Sequence, residues 1–413
     1  MPLSNPSHSD VLIIGAGPSG SIAGALLNKK GHSVRIIERQ QFPRFSIGES
    51  LLAHCLDFIA EAGMSEAVHA AGFQFKNGAV FFRGDQTTDF NFAQKVSPGS
   101  PYTFQVPRAT FDKILADEAE KQGVEVLYQE EVLAVDLGDE LQKVTVKDRH
   151  GATRVLTSKF VLDASGYGRT LPRLLELETP SHLPMRKAYF THVKDNIVSG
   201  VIDRQKIRVT VHTKFNDIWY WLIPFSNGRA SIGVVGLGTD FDRIANDPGT
   251  RLKTLNSEDP ELAKVLASAE YDTPVNELSG YSANVKQMYG KGFVLLGNAA
   301  EFLDPVFSSG VTIAMKSASL TAGLVDRALH GQTIDWQNEY EVPLRKGIDA
   351  FKTYVNGWYD GRFQTILFHP HQSPEIKAMI CSILAGYAWD PNNPFASKSQ
   401  SRFDSLYELC RPS

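Results

Sequence analysis

The chain has 413 residues, room for two or three domains. At 42% hydrophobic and 21% charged, with a net charge of −4, it excludes a disordered, collagen-like or disulfide-scaffold protein. It also has no basic excess that would draw nucleic acid and no acidic tail. Cys55, Cys381 and Cys410 lie far apart with no CxxC pair, so neither a disulfide framework nor a cysteine-rich metal site is expected, and a reducing, cytoplasmic setting fits. The first ten residues lack both a basic and an apolar leader region. No run of about 18 apolar residues occurs, so no membrane span is expected.

In chain order, Asp10–Ile14 reads as a buried parallel strand. A helix carrying Ile22, Ala23, Leu26 and Leu27 follows, stopped by Lys29, Lys30 and Gly31. A second strand runs from Ser33 to Ile37 and ends at Glu38. Strands over 79–82 and 90–92 have antiparallel texture. Helical spacing returns from Arg108 to Gln122, then strands at 124–127, 132–135, 143–146 and 160–162. Residues 175–285 read as mostly strand, and 293–296 as another buried strand before a helix that begins near Gly310. The tail is helical: Phe351, Tyr354, Val355, Trp358 and Tyr359 share one face, as do Ile376, Met379, Ile380, Ile383 and Leu384. That last helix opens at Ser373-Pro374-Glu375 and stops at Gly386.

The first strand and helix are joined by Gly15-Ala16-Gly17-Pro18-Ser19-Gly20. Between a strand and a helix, this spacing is a dinucleotide fingerprint. Gly15 allows the tight turn, Gly17 the close approach of a pyrophosphate, and Gly20 the packing of helix on strand. The pyrophosphate rests on the helix N-terminus, and Glu38 accepts from the adenosine ribose. The fold class expected is α/β (α+β overall). A discontinuous Rossmann-like domain (1–76, 104–173, 286–330) carries an inserted antiparallel β-rich substrate domain (77–103, 174–285), and a helical region (331–413) follows. His369-Pro370-His371 reads as surface, and no metal is assigned. GxSxG and HExxH are both absent, so hydrolase readings have no support.

With these residues in view, the sequence resembles the flavoprotein monooxygenase superfamily and, within it, the flavin-dependent halogenases. GAGPSG with Glu38, the Asp163–Gly166 segment and GNAAEFLDPVFSSG (297–310) are similar to the superfamily's FAD-binding segments. Asn298 stands where the family usually has Asp, and can still hydrogen-bond the ribityl chain without charge. Arg108, in FQVPRATFD, matches the arginine that reaches the FAD phosphates. Trp219–Pro224 matches the halogenase WxWxIP signature, Phe42–Leu51 resembles FPRxxIGES, and Asp304–Val311 resembles the DPxFSSGV loop of halogenases acting on phenols or carrier-tethered pyrroles. Halogenases of free tryptophan have Glu where this chain has Phe307.

The resemblance implies FAD as cofactor, held by Gly15–Gly20, Glu38, Arg39, Ser50, Arg108, Asp163, Asn298, Asp304, Gly310 and Val311. It implies a catalytic lysine at Lys76, a halide site at the Ser309 and Gly310 amides, and a wall of Trp219, Trp221 and Phe307 between flavin and substrate. Ordinary packing is the alternative reading of the two tryptophans. The implied partners are a small aromatic substrate, a separate flavin reductase and an acyl-carrier protein. Two other readings stay open: an FAD-dependent hydroxylase or geranylgeranyl-reductase-like saturase, and an inactive flavin-binding protein. The single GxGxxG argues for one tightly bound dinucleotide, without a second cradle for NADPH.

Overall fold

The structure is a computed structural model and describes residues 7–181, 184–244, 247–281 and 284–411. The opening six residues, read above as carrying no leader, lie outside the described residues. Two sheets and a helical tail make up the fold. In the first sheet the order is Tyr289–Gly290, Phe293–Leu295, Thr153–Asp163, His8–Ile14, Val34–Glu38 and Glu125–Tyr128. The contacts of His8–Ile14 with its two neighbours are parallel, as are those flanking them. Val11, Leu12 and Ile13 are fully buried, which accounts for an unbroken apolar run instead of an alternating one. Strands Glu131–Leu137 and Gln142–Lys147 attach antiparallel to the long strand Thr153–Asp163. Helices Pro18–Lys29 and Gly310–Leu329 pack against one another beside this sheet.

The second sheet runs Asn276–Ser279, Arg186–Lys194, Arg229–Leu237, Trp219–Pro224, Lys206–Val211, Gly78–Arg83 and Gln86–Asn91. Its neighbours are antiparallel apart from Lys206–Val211 against Gly78–Arg83, which is parallel. No hairpin links those two strands, so no tight turn dictates their relative direction. Trp219, Trp221 and Ile223 face the main core, whereas Tyr220 and Leu222 face a second cluster built with Leu252, Leu255 and Leu262.

That second cluster adds two helices to the mostly strand reading of 175–285, Pro248–Glu258 and Pro260–Val265. Each opens with Asp-Pro, and the Asp247 and Asp259 carboxylates accept the backbone N–H of Thr250 and Leu262. The strand expected through Phe92 instead ends at Asn91. There the Asn91 side chain accepts from Ala93 N–H and starts a 3₁₀ turn.

In the tail, Val342–Tyr359 and Pro374–Leu384 bury the apolar faces expected of them. Helices Arg362–Leu367 and Ser399–Cys410 pack alongside the first of these. Among the described residues, no helix is long and apolar enough to cross a membrane.

Candidate active site

A cavity of about 470 Å³ runs from the glycine-rich turn, between the two sheets, to Trp219, Trp221 and Ile223. Gly15 takes φ +98°, and a Cβ there would lie 2.7 Å from the Ala164 carbonyl oxygen. A Cβ on Gly20 would come within 1.9 Å of the Gly15 carbonyl oxygen, so only glycine lets the helix leave this turn. Gly17 differs: the nearest protein atom to its would-be Cβ is Arg44 Nη2 at 3.5 Å, and the position opens into the cavity. Gly17 caps helix Pro18–Lys29 without any side-chain hydrogen bond. Ser309 does the same for helix Gly310–Leu329. Two helix N-termini with free amides and positive dipole ends therefore open on one cavity.

Of the residues assigned to the cofactor, Gly15, Gly17, Pro18, Ser19, Glu38, Arg39, Ser50, Arg108, Asn298, Gly310 and Val311 line the cavity. Ala16, Gly20, Asp163 and Asp304 do not. Ala16 N–H donates to Glu38 Oε2 at 3.0 Å, fixing that carboxylate at the end of its strand. Asp163 is wholly buried and accepts from Ser165 N–H (2.8 Å) and Leu171 N–H (2.6 Å). Burial pushes its carboxyl above the usual range, against those hydrogen bonds. It shapes the Ala164–Gly168 loop, most of which lines the cavity.

Arg108 lines the cavity and is also paired within the protein. Its Nε and Nη2 donate to the two oxygens of Asp112 at 2.7 and 2.9 Å, and its Nη1 to the Ile47 carbonyl at 2.7 Å. It therefore braces the Ile47–Gly48 turn, while Arg44, which also pairs with Asp112 at 3.2 Å, stands at Gly17. Sequence reasoning quoted Arg44 and Asp112 within motifs but assigned them nothing. The Arg108/Asp112 spacing on one helix was the available signal. Asp112 is fully buried. Asp112→Ala should strand a buried guanidinium and destabilise the fold by about 3–5 kcal/mol. Thermal unfolding of the FAD-free protein measures this, with weakened FAD binding alongside.

At the far end, Trp219 Nε1 donates to the Tyr359 hydroxyl (2.9 Å) and Trp221 Nε1 to the Ser231 hydroxyl (3.0 Å). Trp221 lies across the partner strand because Gly233 has no side chain; a Cβ there would sit 2.3 Å from the indole. Both tryptophans are buried, and both line the cavity, so the packing and wall readings coexist. Tyr281, also on the lining, donates to Asp304 Oδ2 at 3.2 Å, and Arg186 lies over the Tyr359 ring. Burial raises the Asp304 carboxyl, opposed by the Tyr359 hydroxyl and Arg186.

Phe307 does not reach the lining. It packs edge-on to Trp358 and Phe363 in the core, so its expected place in the wall is corrected. Ser308 and Gly310 line the cavity while Ser309 is buried between them.

Lys76, the lysine implied as catalytic, is enclosed. It is 1% exposed on strand Gln74–Lys76, its Nζ donates to the Leu51 carbonyl at 2.8 Å, and it lies 5.3 Å from the centre of the Phe92 ring. Burial pulls its ammonium down to about 7. Ser50, one residue from Leu51, lines the cavity, so the amine sits directly behind the cavity wall. Sequence reasoning also missed Glu49, which lines the cavity, pairs with His192 (2.5 Å) and leaves its other oxygen without a partner.

The residues present fit FAD: an open cradle at Gly17, two uncapped helix N-termini, and buried Ser50 Oγ and Glu49 Oε2 without partners in the wall. Fold and site together define an FAD-dependent oxidoreductase. Residues 8–336 match the FAD binding domain family, and the chain belongs to it. It is 28% identical to the 1H-pyrrole-2-carbonyl-[peptidyl-carrier protein] brominase of Pseudoalteromonas luteoviolacea (strain 2ta16), over 92% of each chain. A solved flavoprotein/dehydrogenase from Cytophaga hutchinsonii is 43% identical, covers 98% of both chains and superposes with TM-score 0.95. The solved flavin-dependent brominase Bmp2 is 26% identical, covers 98% of this chain and all of its own, and superposes with TM-score 0.84. The halogenase resemblance read from the motifs is thereby borne out, and FAD is the cofactor.

Proposed function

We propose that this oxidoreductase is a halogenase that uses FADH2, oxygen and halide on an electron-rich aromatic, phenolic or pyrrolic, presented free or on an acyl-carrier protein. A separate reductase would supply the FADH2. The observation that carries this reading is the continuity of one cavity from the Gly17 cradle to a tryptophan-walled end, in a chain aligned over nine-tenths of its length with a halogenase. Bound reduced flavin with oxygen supplies the oxidising equivalent that turns halide into hypohalous acid. The chain's own residues do the rest. The two helix N-termini hold the pyrophosphate and attract halide at the Ser309–Gly310 amides. Trp219 and Trp221 keep the aromatic away from the oxidant, which suppresses direct oxygen insertion. The Lys76 amine, poised near neutrality, polarises or captures the small neutral hypohalous acid behind the wall.

The test is incubation with FADH2, oxygen and bromide, with monochlorodimedone to trap the halogenating species; the reading expects halide-dependent consumption of the trap. NADPH alone should reduce the bound flavin slowly, and a reductase supplying FADH2 should restore turnover. Stopped-flow absorbance at the flavin band checks this, and rapid saturable reduction by NADPH points to a single-component hydroxylase.

A further inference from the structure

Asp326 and His330 lie one helical turn apart, His32 comes from a distant part of the chain, and no metal is expected from the sequence. The fold brings them together where helices Pro18–Lys29 and Gly310–Leu329 end. His32 Nε2 lies 2.8 Å from Asp326 Oδ1, and His330 Nδ1 lies 3.4 Å from the same oxygen. One donor atom from each of the three residues lies within 4.8 Å of the other two. A tetrahedral zinc ion with bonds of about 2.0–2.2 Å places neighbouring ligands about 3.3 Å apart. The two distances to Asp326 already suit this. His330 Nδ1 also lies 2.8 Å from the Asp326 backbone carbonyl, and rotation of this exposed ring breaks that hydrogen bond, frees the nitrogen and closes the remaining gap. We propose that these three side chains form a zinc-binding clip between the C-terminal ends of the two helices.

The donor set, two imidazoles and one carboxylate, suits a borderline cation such as Zn2+ over the all-oxygen preference of Mg2+ or Ca2+. Both helices also direct the negative ends of their dipoles at this point, which adds to the attraction for a cation. None of the three residues lines the cavity, so the ion would be structural, with water completing its coordination. The consequence is mechanical: the same two helices present Gly17 and Gly310 to the cavity, and the clip fixes their far ends relative to one another. One competing charge is present, since Lys30 Nζ lies 3.4 Å from Asp326 Oδ2. This inference does not depend on the halogenase reading.

Calorimetric titration of the FAD-loaded full chain with ZnCl2 tests it. One zinc per chain is expected, and His32→Ala and His330→Ala should each weaken binding by on the order of tenfold or more. The double variant His369→Ala/His371→Ala, the other histidine pair, should leave it unchanged. Lys30→Ala should tighten it by removing the competing ammonium. Zinc at a hundredfold over its Kd should raise the wild-type Tm by about 3 °C. Co2+ in place of Zn2+ should give the visible absorption of a tetrahedral site in wild type and not in His330→Ala. Absence of saturable one-to-one binding, or tight binding that survives both single histidine variants, would overturn the proposal.

Discussion

Lys76→Ala is expected to bind FAD as wild type does and to lose halogenated product by a factor on the order of 100 or more, the contribution of a positioned proton donor. Lys76 is not itself on the lining of the cofactor cavity and lies away from the Gly17 cradle in sequence and fold, so its loss leaves that cradle intact. Its amine is the titratable group behind the Ser50–Leu51 wall, and burial holds it near 7, where it can both donate a proton and act as a neutral nucleophile. Lys76→Arg should not rescue product, because a guanidinium is larger and stays charged.

The same burial makes a stability prediction. An unfolded lysine titrates at 10.5 and this one at about 7. Between those values the unfolded chain holds a proton that the folded chain lacks, so stability rises with pH across that window. At pH 7 to 8 the buried amine therefore destabilises the fold. Lys76→Met should raise the Tm there, with the gain shrinking toward pH 10. Product by mass spectrometry, FAD affinity by fluorescence and Tm against pH separate the two effects. Wild-type product rates in Lys76→Ala would remove this residue from the mechanism.

What could be read in the sequence follows from how local each feature is. The turn from Gly15 to Gly20 announces itself because strand, glycines and helix are contiguous, and the structure puts steric reasons behind Gly15 and Gly20. The apolar runs at 10–14 and 293–296 read as buried strands because both faces of their sheet are covered. The enclosure of Lys76 was illegible, since Leu51 and Cys55 come from one stretch of chain and Phe92 from another, each separate from Gln74–Lys76. Phe307 illustrates the same limit: its ring is claimed by Trp358 and Phe363 of the tail, which no spacing around residue 307 reveals. The helices at 248–258 and 260–265 were legible from their Asp-Pro starts. The strand-like texture around them outweighed that signal.

Gly17→Asp should fold normally and lose FAD binding, by on the order of 1,000-fold or more in affinity, equivalent to about 4 kcal/mol. Gly17 has φ −68° and ψ −174°, extended backbone that any residue adopts. Its would-be Cβ meets only Arg44, at 3.5 Å. Aspartate is also a favoured residue at a helix N-cap, so its side chain would bond the first free amides of helix Pro18–Lys29. Those amides are the ones a pyrophosphate needs. The new carboxylate would occupy them, repel the phosphate charge, and draw Arg44 away. Stability of the FAD-free protein should thus hold or rise while the flavin is lost. Gly20→Ala should do the reverse in kind: its Cβ would collide with the Gly15 carbonyl at 1.9 Å, so the FAD-free fold itself is destabilised. Measuring Tm without flavin beside FAD affinity distinguishes a cradle for phosphate from a turn that only needs small residues. Wild-type FAD affinity in Gly17→Asp would show that the pyrophosphate does not rest on this helix.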